Sequence, residues 1–567
     1  MNDVVAHDSF LKPGRTTRGA AIPRVSSETG ARRPISPPHF PVGSRTDGSL
    51  QIARTSVDRV DASFAKIRLD IEQAWQTIMR FDCSEALALA DLIEHHANML
   101  STTVAKALRC EIAALRAVAF VLQDDEAAAL PAALSARRPE ASAPTAHVAL
   151  TVCRSVYWRL GDLESFYAVE RARLNNQPGR LQAVSALFDL ALDSAVALDQ
   201  MRFSAARLLA ADALEIGRRF VGTHVPVDAF PACILAQVLY EQGQVNEAEA
   251  LIVARMANIR ECCTIESALR AHVLLARIAA SRRQHGRGLA ILSEAEALGE
   301  RRGWPRLRAA SLAHQVEMEV GSGRVEQAAH CLQRLADLAG EQSDASSHVS
   351  SHVSFEIARF HTIARARVAL ARSSDGVDIA SLLQLHCDTV WRRGLYAAVP
   401  VALLLVEALL VTEQRGEAVE VLVGLLRLAP SVGLHQTLVD CSVRVAELIE
   451  AIVQRRIVSV CDTRELLPYA GMLLMHRQRE ASAADEPFAT RRPHTGAGLS
   501  ERERLIVELM GRGLSNKQIA IELCIAPETV KSHAKHLYTK LSVRNRTEAV
   551  TLATRLGLIQ IPRNFPA

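Results

Sequence analysis

The feature that most constrains the fold is a pattern that returns about every forty residues between Val57 and Leu474. Each copy reads as an apolar helix, a small turn with glycine or charged residues, and a second helix with a small residue in its first turn. In the clearest copy, Gly243 lies between the two helices and Ala248 follows five residues later. The equivalent second-helix positions are Ala86, Ala127, Phe166, Ala206, Ala248, Ala290 and Ala328, and after an irregular stretch Ala380 and Ala418.

A period of this length with two helices per unit is typical of an α-solenoid. Small residues recur because they let paired helices approach closely. Eight or nine units would form a superhelix whose concave face holds a peptide, a protein or a small ligand; the alternative is that the array only acts as a spacer. The unit resembles the tetratricopeptide (TPR) repeat, with a longer period. Apolar residues make up 49% of the chain and aromatic residues only 4%, which favours an all-α protein.

A second pattern, near the C-terminus, predicts four short helices between Leu499 and Ile559. The helix-start signals are a capping box of Ser500 and Glu503, then Ser515, Pro527, and either Asn545 or Thr547, and the stop signals are Gly511, Gly513 and Gly557. Two short helices, a turn and a longer third helix are the order of a helix-turn-helix DNA-binding domain.

The third helix of this segment has two different faces. Its apolar face consists of Val530, Ala534, Leu537 and Leu541, and its polar face of Lys531, Ser532, Lys535 and Thr539, with Thr529 at the N-terminal end. Lysine reaches guanine or phosphate, and serine bonds to either kind of site, so this polar face suits the major groove. Residues 499–567 contain 11 Lys/Arg and 6 Asp/Glu, a net charge of +5. One basic helix alone is often merely solvated, but here the helix signals, the faces and the charge agree.

This segment resembles the DNA-binding domain of LuxR-type transcription regulators. The matching motifs are Leu499-Ser500-x-Arg502-Glu503, Gly513-x-Ser515-Asn516-Lys517-x-Ile519-Ala520, Thr529-Val530-Lys531-x-His533, Lys540-Leu541-x-Val543, and Ala549-Val550 ahead of Gly557-Leu558-Ile559. The resemblance implies a four-helix domain that binds DNA as a dimer. It places the third helix in the major groove and the fourth helix in the dimer contact.

The resemblance also implies roles for single residues. Base contacts fall on Lys531, Ser532 and Lys535, and contacts to the DNA backbone on Ser515, Asn516, Lys517, Thr529 and His536. His533 belongs to the motif, and both packing and DNA contact stay open for it. Ala526 stands where the family often has a capping serine, which weakens the start of the third helix by ~1 kcal/mol.

The remaining segments suggest the domain order. Residues 1–54 hold six prolines and 8 Lys/Arg against 4 Asp/Glu, which is typical of a disordered basic leader. We expect TPR-like repeats over residues 55–476, a flexible linker over 477–498, the helix-turn-helix domain over 499–561 and a short tail over 562–567. The linker prediction rests on its polar composition, with two prolines and two glycines between residues 487 and 498.

Several classes of protein are not indicated by the sequence. The eleven cysteines are scattered without a CxxC pair, which argues against a disulfide framework. The longest apolar run, Leu395 to Val406, is too short to span a membrane, and the N-terminus lacks a signal peptide. His348 and His352 have no obvious third ligand apart from Glu356. We therefore expect a cytoplasmic protein with no membrane contact, no metal or cofactor, and no enzymatic activity.

TPR-like repeats followed by a LuxR-type domain resemble the MalT-like branch of LuxR regulators. In that branch the solenoid senses an inducer, and an upstream NTPase domain controls oligomerisation. The GxxxxGK[ST] phosphate loop does not occur in the printed sequence, and neither does the dipeptide Gly-Lys. We therefore expect a shortened pair of sensor and output domains.

Together these patterns predict a sequence-specific DNA-binding transcription regulator that acts as an activator. Its expected partners are double-stranded DNA, RNA polymerase, a second copy of itself on DNA, and a small-molecule or protein effector on the solenoid. Three alternatives stay open: a TPR-like scaffold whose DNA contact is secondary, a regulatory ATPase with a degenerate site, and a subunit similar to a sigma factor. The last lacks the expected promoter-melting segment.

Overall fold

The computed structural model describes residues 65–98, 102–172, 174, 177–222, 226–344, 351–372, 376–454, 464–485, 501–522, 530–531, 533–535, 537–538, 543 and 545–555. Over these ranges the regular elements are helices, and none of the described residues lies in a strand. The all-α prediction is confirmed. The predicted leader (1–54) and tail (562–567) lie outside the described residues.

The repeat region is a succession of helices joined by short turns. They are α1 (residues 65–79), α2 (Cys83–Ala97), α3 (Thr102–Leu122), α4 (Glu126–Ser135), α5 (Ala143–Leu160), α6 (Leu163–Ala168), α7 (Arg180–Asp199), α8 (Phe203–Ile216), α9 (Ala229–Glu241), α10 (Val245–Val253), α11 (Met256–Glu261), α12 (Ile265–Ser281), α13 (His285–Arg302), α14 (Pro305–Gly321), α15 (Val325–Asp344), α16 (Ser351–Arg372), α17 (Ile379–Arg393), α18 (Leu395–Val411), α19 (Arg415–Val432), α20 (Gln436–Val439), α21 (Val443–Val453) and α22 (Leu467–Asp485).

Eight of the described helix pairs share one turn geometry. A residue with positive φ, between 56° and 78°, stands two positions before the second helix begins. These residues are Phe81, Asp124, Gly161, Met201, Gly243, Arg283, Gly323 and Glu413. Glycine adopts this left-handed conformation without steric cost, whereas a residue with a Cβ is strained there. The turn is therefore set by the geometry of the pair even where the residue itself disfavours it.

The fourth residue of each second helix is buried against its partner helix, and at seven of nine positions it is alanine or glycine. The buried residues at this position are Ala86, Ala129, Phe166, Ala206, Ala248, Gly288, Ala328, Leu382 and Ala418. Six of the nine predicted positions coincide with them. The other three, Ala127, Ala290 and Ala380, are wrong, because these side chains are exposed. Each lies two residues from the buried position, and two residues turn an α-helix by about 200°.

Helices that are distant in sequence meet across the repeat region. The Trp304 indole Nε1–H donates to the Leu122 carbonyl at 3.0 Å, although the two residues are 182 positions apart. A second such bond runs from Arg277 Nη2 to Thr437 Oγ1 at 2.9 Å, across 160 positions. The first, middle and last repeats are thus held together by direct contacts, in addition to the contacts between neighbouring repeats.

Charged side chains are buried where the first and middle repeats meet. We call Asp124, Glu126, Arg159, Glu266 and Arg306 the ionic cluster. Arg306, with no exposed surface, donates to Asp124 at 2.6 Å and to Glu266 at 2.8 Å. Arg159 donates to Asp124 at 3.2 Å and to Glu126 at 3.1 Å. Although burial opposes ionisation, the guanidinium groups of Arg306 and Arg159 lower the pKa of Glu266 below its usual range, so Glu266 is ionised.

One described helix, α7, is long and apolar enough to cross a bilayer by length and composition. In the structure 78% of that stretch is buried by other parts of the molecule. Leu187 and Leu198, for example, have no exposed surface. The apolar side chains of α7 therefore form part of the hydrophobic core of the repeat region.

The last helix of the repeat region extends further than the sequence indicates. Residues 477–485, predicted as the start of the flexible linker, are the C-terminal part of α22. Arg477 fixes this helix, because its Nη1 donates to the Val439 carbonyl at 2.8 Å. That contact joins residues 38 positions apart, which explains why the polar composition alone was misleading. The rest of the predicted linker, residues 486–498, lies outside the described residues.

Candidate nucleic-acid interface

The first helix of the C-terminal segment, α23 (Glu501–Gly511), is followed by a left-handed glycine two residues beyond its end. Gly513 has a φ of 86°, its N–H donates to the Met510 carbonyl at 3.0 Å, and the Leu514 N–H donates to the Leu509 carbonyl at 3.2 Å. This pair of bonds is the Schellman ending of a helix. The predicted stop at Gly513 is confirmed, whereas Gly511 is the last residue of α23 itself.

Ser515 and Gln518 start the second helix, α24 (Asn516–Glu522), with a reciprocal cap. The Gln518 N–H donates to Ser515 Oγ at 3.4 Å, and the Ser515 N–H donates to Gln518 Oε1 at 2.8 Å. Both side chains thereby satisfy backbone N–H groups at the helix start. Ser515 and Lys517 are exposed and Asn516 is half-buried. Their contacts to the DNA backbone stay predictions.

The third helix is described at residues 530–531, 533–535 and 537–538, all of them helical. Val530, Ala534 and Leu537 are buried, and Lys531 and Lys535 are exposed, so both predicted faces are confirmed at these positions. His533 is half-buried, which fits a packing role and a DNA contact equally. The other site residues predicted on this helix, Thr529, Ser532 and His536, lie outside the described residues.

The buried face of the third helix packs on both sides of α23. One apolar cluster joins Ile506, Leu509 and Met510 to Ile519, Ala520, Val530 and Ala534, and the other joins Val507 to Leu537, Ala549 and Ala553. Because the apolar face of the third helix packs against α23, the opposite face, which carries Lys531 and Lys535, is exposed to solvent.

The last helix, α25 (Arg546–Arg555), is capped by Asn545, one of the two predicted starts. Asn545 Oδ1 accepts the Glu548 N–H at 2.9 Å, and its Nδ2 donates to Glu548 Oε1 at 2.7 Å. Arg546 Nη2 then donates to the carbonyls of Met510 at 2.8 Å and Leu514 at 2.6 Å, which ties α25 to the end of α23. Sequence reasoning missed Arg546. The available signal was a cation in the first turn of a helix, where the macrodipole disfavours it.

This arrangement presents positive charge on a compact scaffold. Lys531 and Lys535 lie one turn apart on the exposed face of the third helix, and Lys517 lies in the first turn of α24. The positive end of a helix also attracts anions through its unpaired N–H groups. These features suit a regularly spaced anionic polymer, with side chains of one helix directed at the groove between its phosphates.

Comparison with known proteins agrees with this geometry. Residues 497–553 match the family of bacterial regulatory proteins, luxR family, and residues 110–455 match the MalT-like TPR region. The second match covers more than half of the chain. The chain belongs to the MalT-like TPR family. It joins that repeat region to a luxR-type domain, as the two sequence patterns predicted.

Relatives of the MalT-like repeat region are transcription regulators by name. The chain is 25% identical over 506 residues to the HTH-type transcriptional regulators MalT of Yersinia pestis (strain Pestoides F) and Yersinia pseudotuberculosis (strain YPIII). Each alignment covers 86% of this chain and 54% of the relative, so the chain spans about half the length of these curated relatives. It is also 34% identical over 97 residues to the DNA-binding transcriptional activator DevR/DosR of Mycobacterium tuberculosis, covering 17% of this chain and 41% of that one.

Among solved structures, the chain is similar to a Rap protein crystallised in complex with Competence and Sporulation Factor. The TM-score is 0.47 at 12% identity, and the match covers 65% of this chain and 99% of that chain. This likeness is too distant to support a conclusion about ligand or partner.

Proposed function

We propose that this chain is a sequence-specific DNA-binding transcription regulator that acts as an activator in the cytoplasm. In this proposal the luxR-type domain binds DNA as a homodimer, and the repeat region senses a small molecule or a protein. The observation that carries it is the third helix of the luxR-type domain, whose apolar face is buried against α23 while Lys531 and Lys535 are exposed. The proposed function contains no catalytic step and no cofactor.

DNA recognition would combine two kinds of contact. Lys531, Ser532 and Lys535 would reach base edges in the major groove, where the pattern of donors and acceptors identifies each base pair. Contacts to the DNA backbone, which position the domain without reading sequence, would come from Ser515, Asn516, Lys517, Thr529 and His536. Two domains related by a two-fold axis would bind half-sites about one helical turn, ~34 Å, apart.

Sensing would act through the repeat region. An effector changes the equilibrium between two states only by as much as its affinities for them differ. The contacts between distant repeats, such as Trp304 with Leu122 and Arg277 with Thr437, are suited to such a two-state element, because they are either made or broken. An activator of this kind would also contact RNA polymerase.

Genome-wide crosslinking tests this proposal directly. The wild-type chain is compared with the double variant Lys531→Ala/Lys535→Ala and with Arg444→Ala, which removes an exposed cation of the repeat region. We expect discrete peaks that share a two-fold symmetric motif, lost in the double variant and kept in the control. Peaks that persist in the double variant would show that the third helix is not the reading element.

A further inference from the structure

A cavity of about 120 Å³ lies in the repeat region, where α1, α3, α5, α7, α9 and α12 meet. Five of its lining side chains are large aromatic groups: Phe81 from the turn before α2, and Trp75, Trp158, Phe188 and Phe230 from four different helices. Most of the others are aliphatic. An apolar cavity of this size accepts a molecule of about one ring. The first repeats and the middle repeats both contribute to its wall, so the cavity exists only because distant repeats meet.

The aromatic side chains already pack on one another around this space. The rings of Trp158 and Phe230 are 5.9 Å apart at 45°, and those of Phe188 and Phe230 are 6.5 Å apart at 29°. Aromatic pairs favour such offset and tilted arrangements. A flat ring entering the cavity extends the same packing, whereas a polyhydroxylated molecule would lose its hydrogen bonds to water without replacement.

Two nitrogen atoms on the wall are buried without a hydrogen bond: Nε1 of Trp75, and Nε of Arg159, whose Nη1 donates to Asp124 and Glu126. By contrast, Trp158 Nε1–H donates to Asp199 at 2.8 Å and Trp304 Nε1–H donates to the Leu122 carbonyl at 3.0 Å. A buried donor without an acceptor is destabilising, so a guest with one acceptor atom gains a hydrogen bond there.

The charged residues of the wall do not favour binding of a charged ligand. Arg159 and Glu266 line the cavity, and both belong to the ionic cluster. Arg159 donates to Glu126 at 3.1 Å, and Glu266 accepts from Arg306 at 2.8 Å. Because each already has a partner of opposite charge, an ion entering the cavity would lose its hydration without gaining a new counter-ion.

We infer that this cavity binds a small, uncharged aromatic molecule that carries one hydrogen-bond acceptor. Such a guest would touch the first and middle repeats at once and lie against Arg159 and Glu266, so it favours the state in which these repeats are closed on one another. The further statement that this guest is the effector rests on the proposed function. The binding site itself does not.

Titration calorimetry of the full chain with two probes tests the assignment. Acetophenone and ethylbenzene share one carbon skeleton and differ by a carbonyl in place of a methylene group. We expect saturable binding of one equivalent of acetophenone, with ethylbenzene bound about fivefold more weakly, since one net hydrogen bond separates them. Absence of saturable binding of both probes overturns the inference.

Two variants and a matched control locate the binding. Ser155→Phe places a ring in the cavity from the half-buried Ser155 of α5 and should abolish binding of both probes. Trp75→Phe keeps a ring but removes the N–H, and should abolish the preference for acetophenone. Trp391→Phe, at a tryptophan that is 81% exposed, should change neither affinity. If circular dichroism shows that Ser155→Phe does not fold, the preference for acetophenone in Trp75→Phe still tests the assignment.

The outcomes separate this inference from the proposed function. Binding that survives in folded Ser155→Phe, or a preference for acetophenone that survives in Trp75→Phe, overturns the cavity assignment. Neither titration involves DNA, so its failure leaves the proposed DNA binding intact. Conversely, a failure of the crosslinking experiment leaves the cavity assignment standing on its own titrations.

Discussion

The two parts of the chain use cationic side chains in opposite ways. In the repeat region, arginines such as Arg306 and Arg159 are buried and paired with several carboxylates. In the luxR-type domain, lysines such as Lys531 and Lys535 are exposed on one helix face. Lysine is rare outside the luxR-type domain: of the seven lysines in the sequence, four lie in residues 499–567, and none lies between Lys106 and Lys517.

Side-chain chemistry explains what this difference teaches. A guanidinium group is planar and offers several donors, so one arginine can hold two carboxylates in fixed positions inside a protein. An ammonium group is a compact charge on a flexible stem, which suits a solvated surface facing phosphates or bases. Cations should therefore determine stability in the repeat region and DNA affinity in the luxR-type domain.

The largest expected effect tests the stability half of this contrast. Arg306→Met leaves Asp124 and Glu266 buried without that partner, and should lower the free energy of unfolding by about 3–5 kcal/mol. The control Arg444→Met breaks an exposed pair with Glu407, at 3.2 Å, and should cost less than ~1 kcal/mol. Urea unfolding followed by circular dichroism measures both. Equal losses in the two variants would contradict the contrast.

The next effect tests the DNA half. Lys531→Ala should weaken binding to the preferred site by ~1–3 kcal/mol and relax base preference, if the lysine contacts a base. Lys517→Ala should weaken binding to all sequences alike and reduce the slope of affinity against salt by about one. Because both side chains are exposed, the free energy of unfolding should stay unchanged in both variants. Fluorescence anisotropy across a salt titration measures the affinities. Wild-type affinities in both variants would show that the third helix does not lie in the major groove as proposed.

A smaller effect compares the turns of the two parts. Gly513 of the luxR-type domain and Glu413 of the repeat region both have positive φ, 86° and 62°. Gly513→Ala introduces a Cβ into the left-handed conformation and should cost about 1 kcal/mol. Glu413→Ala keeps the existing strain, and should change the free energy of unfolding by less than ~0.5 kcal/mol. Thermal unfolding of both variants measures this, and a larger loss at Glu413 would reverse the expected order.

A pH effect is expected from the repeat region. His435 Nε2 and His476 Nδ1 lie 2.7 Å apart, and burial together with His476 lowers the pKa of His435 to about 4. An unfolded histidine has a pKa of about 6.5. Between these values the unfolded chain binds a proton that the folded chain does not, so this residue reduces stability as the pH falls from 7 towards 4.

The variant His435→Gln isolates that contribution. Its free energy of unfolding should fall less between pH 7 and pH 5 than that of the wild type. Burial raises the pKa of Asp440 to about 6, which acts in the opposite direction, but Asp440 is present in both proteins and its effect cancels in the comparison. Urea unfolding at the two pH values measures the difference. An identical pH dependence of the free energy of unfolding in the two proteins would show that His435 does not contribute to it.

Local features of the fold were predictable because both partners lie close in sequence. Ser515 with Gln518, and Asn545 with Glu548, are caps whose members stand three residues apart, and the faces of the third helix follow from a period of 3.6 residues. The register of single repeats was harder. Three consecutive alanines end at Ala129, so composition did not distinguish the buried one from Ala127.

Features that depend on distant partners were not predictable. The carboxylate of Asp124 lies 182 positions from Arg306, and nothing in either local sequence indicates the other. The cavity at Trp75 likewise requires the packing of six helices. In the candidate site, the exposure of Lys531 and Lys535 was predicted from the helix period, whereas the anchoring of α25 by Arg546 on the end of α23 required the three-dimensional structure.

The bond between Trp304 and the Leu122 carbonyl has a consequence for how such a chain can diverge. Open solenoids gain and lose whole repeats by duplication, because each unit touches only its neighbours. Here one extra unit inserted between residues 122 and 304 would move the two partners apart by the length of a repeat and separate Arg306 from Asp124. These two contacts therefore fix the number of repeats between residues 122 and 304. Descendants of this gene can gain repeats only outside that range.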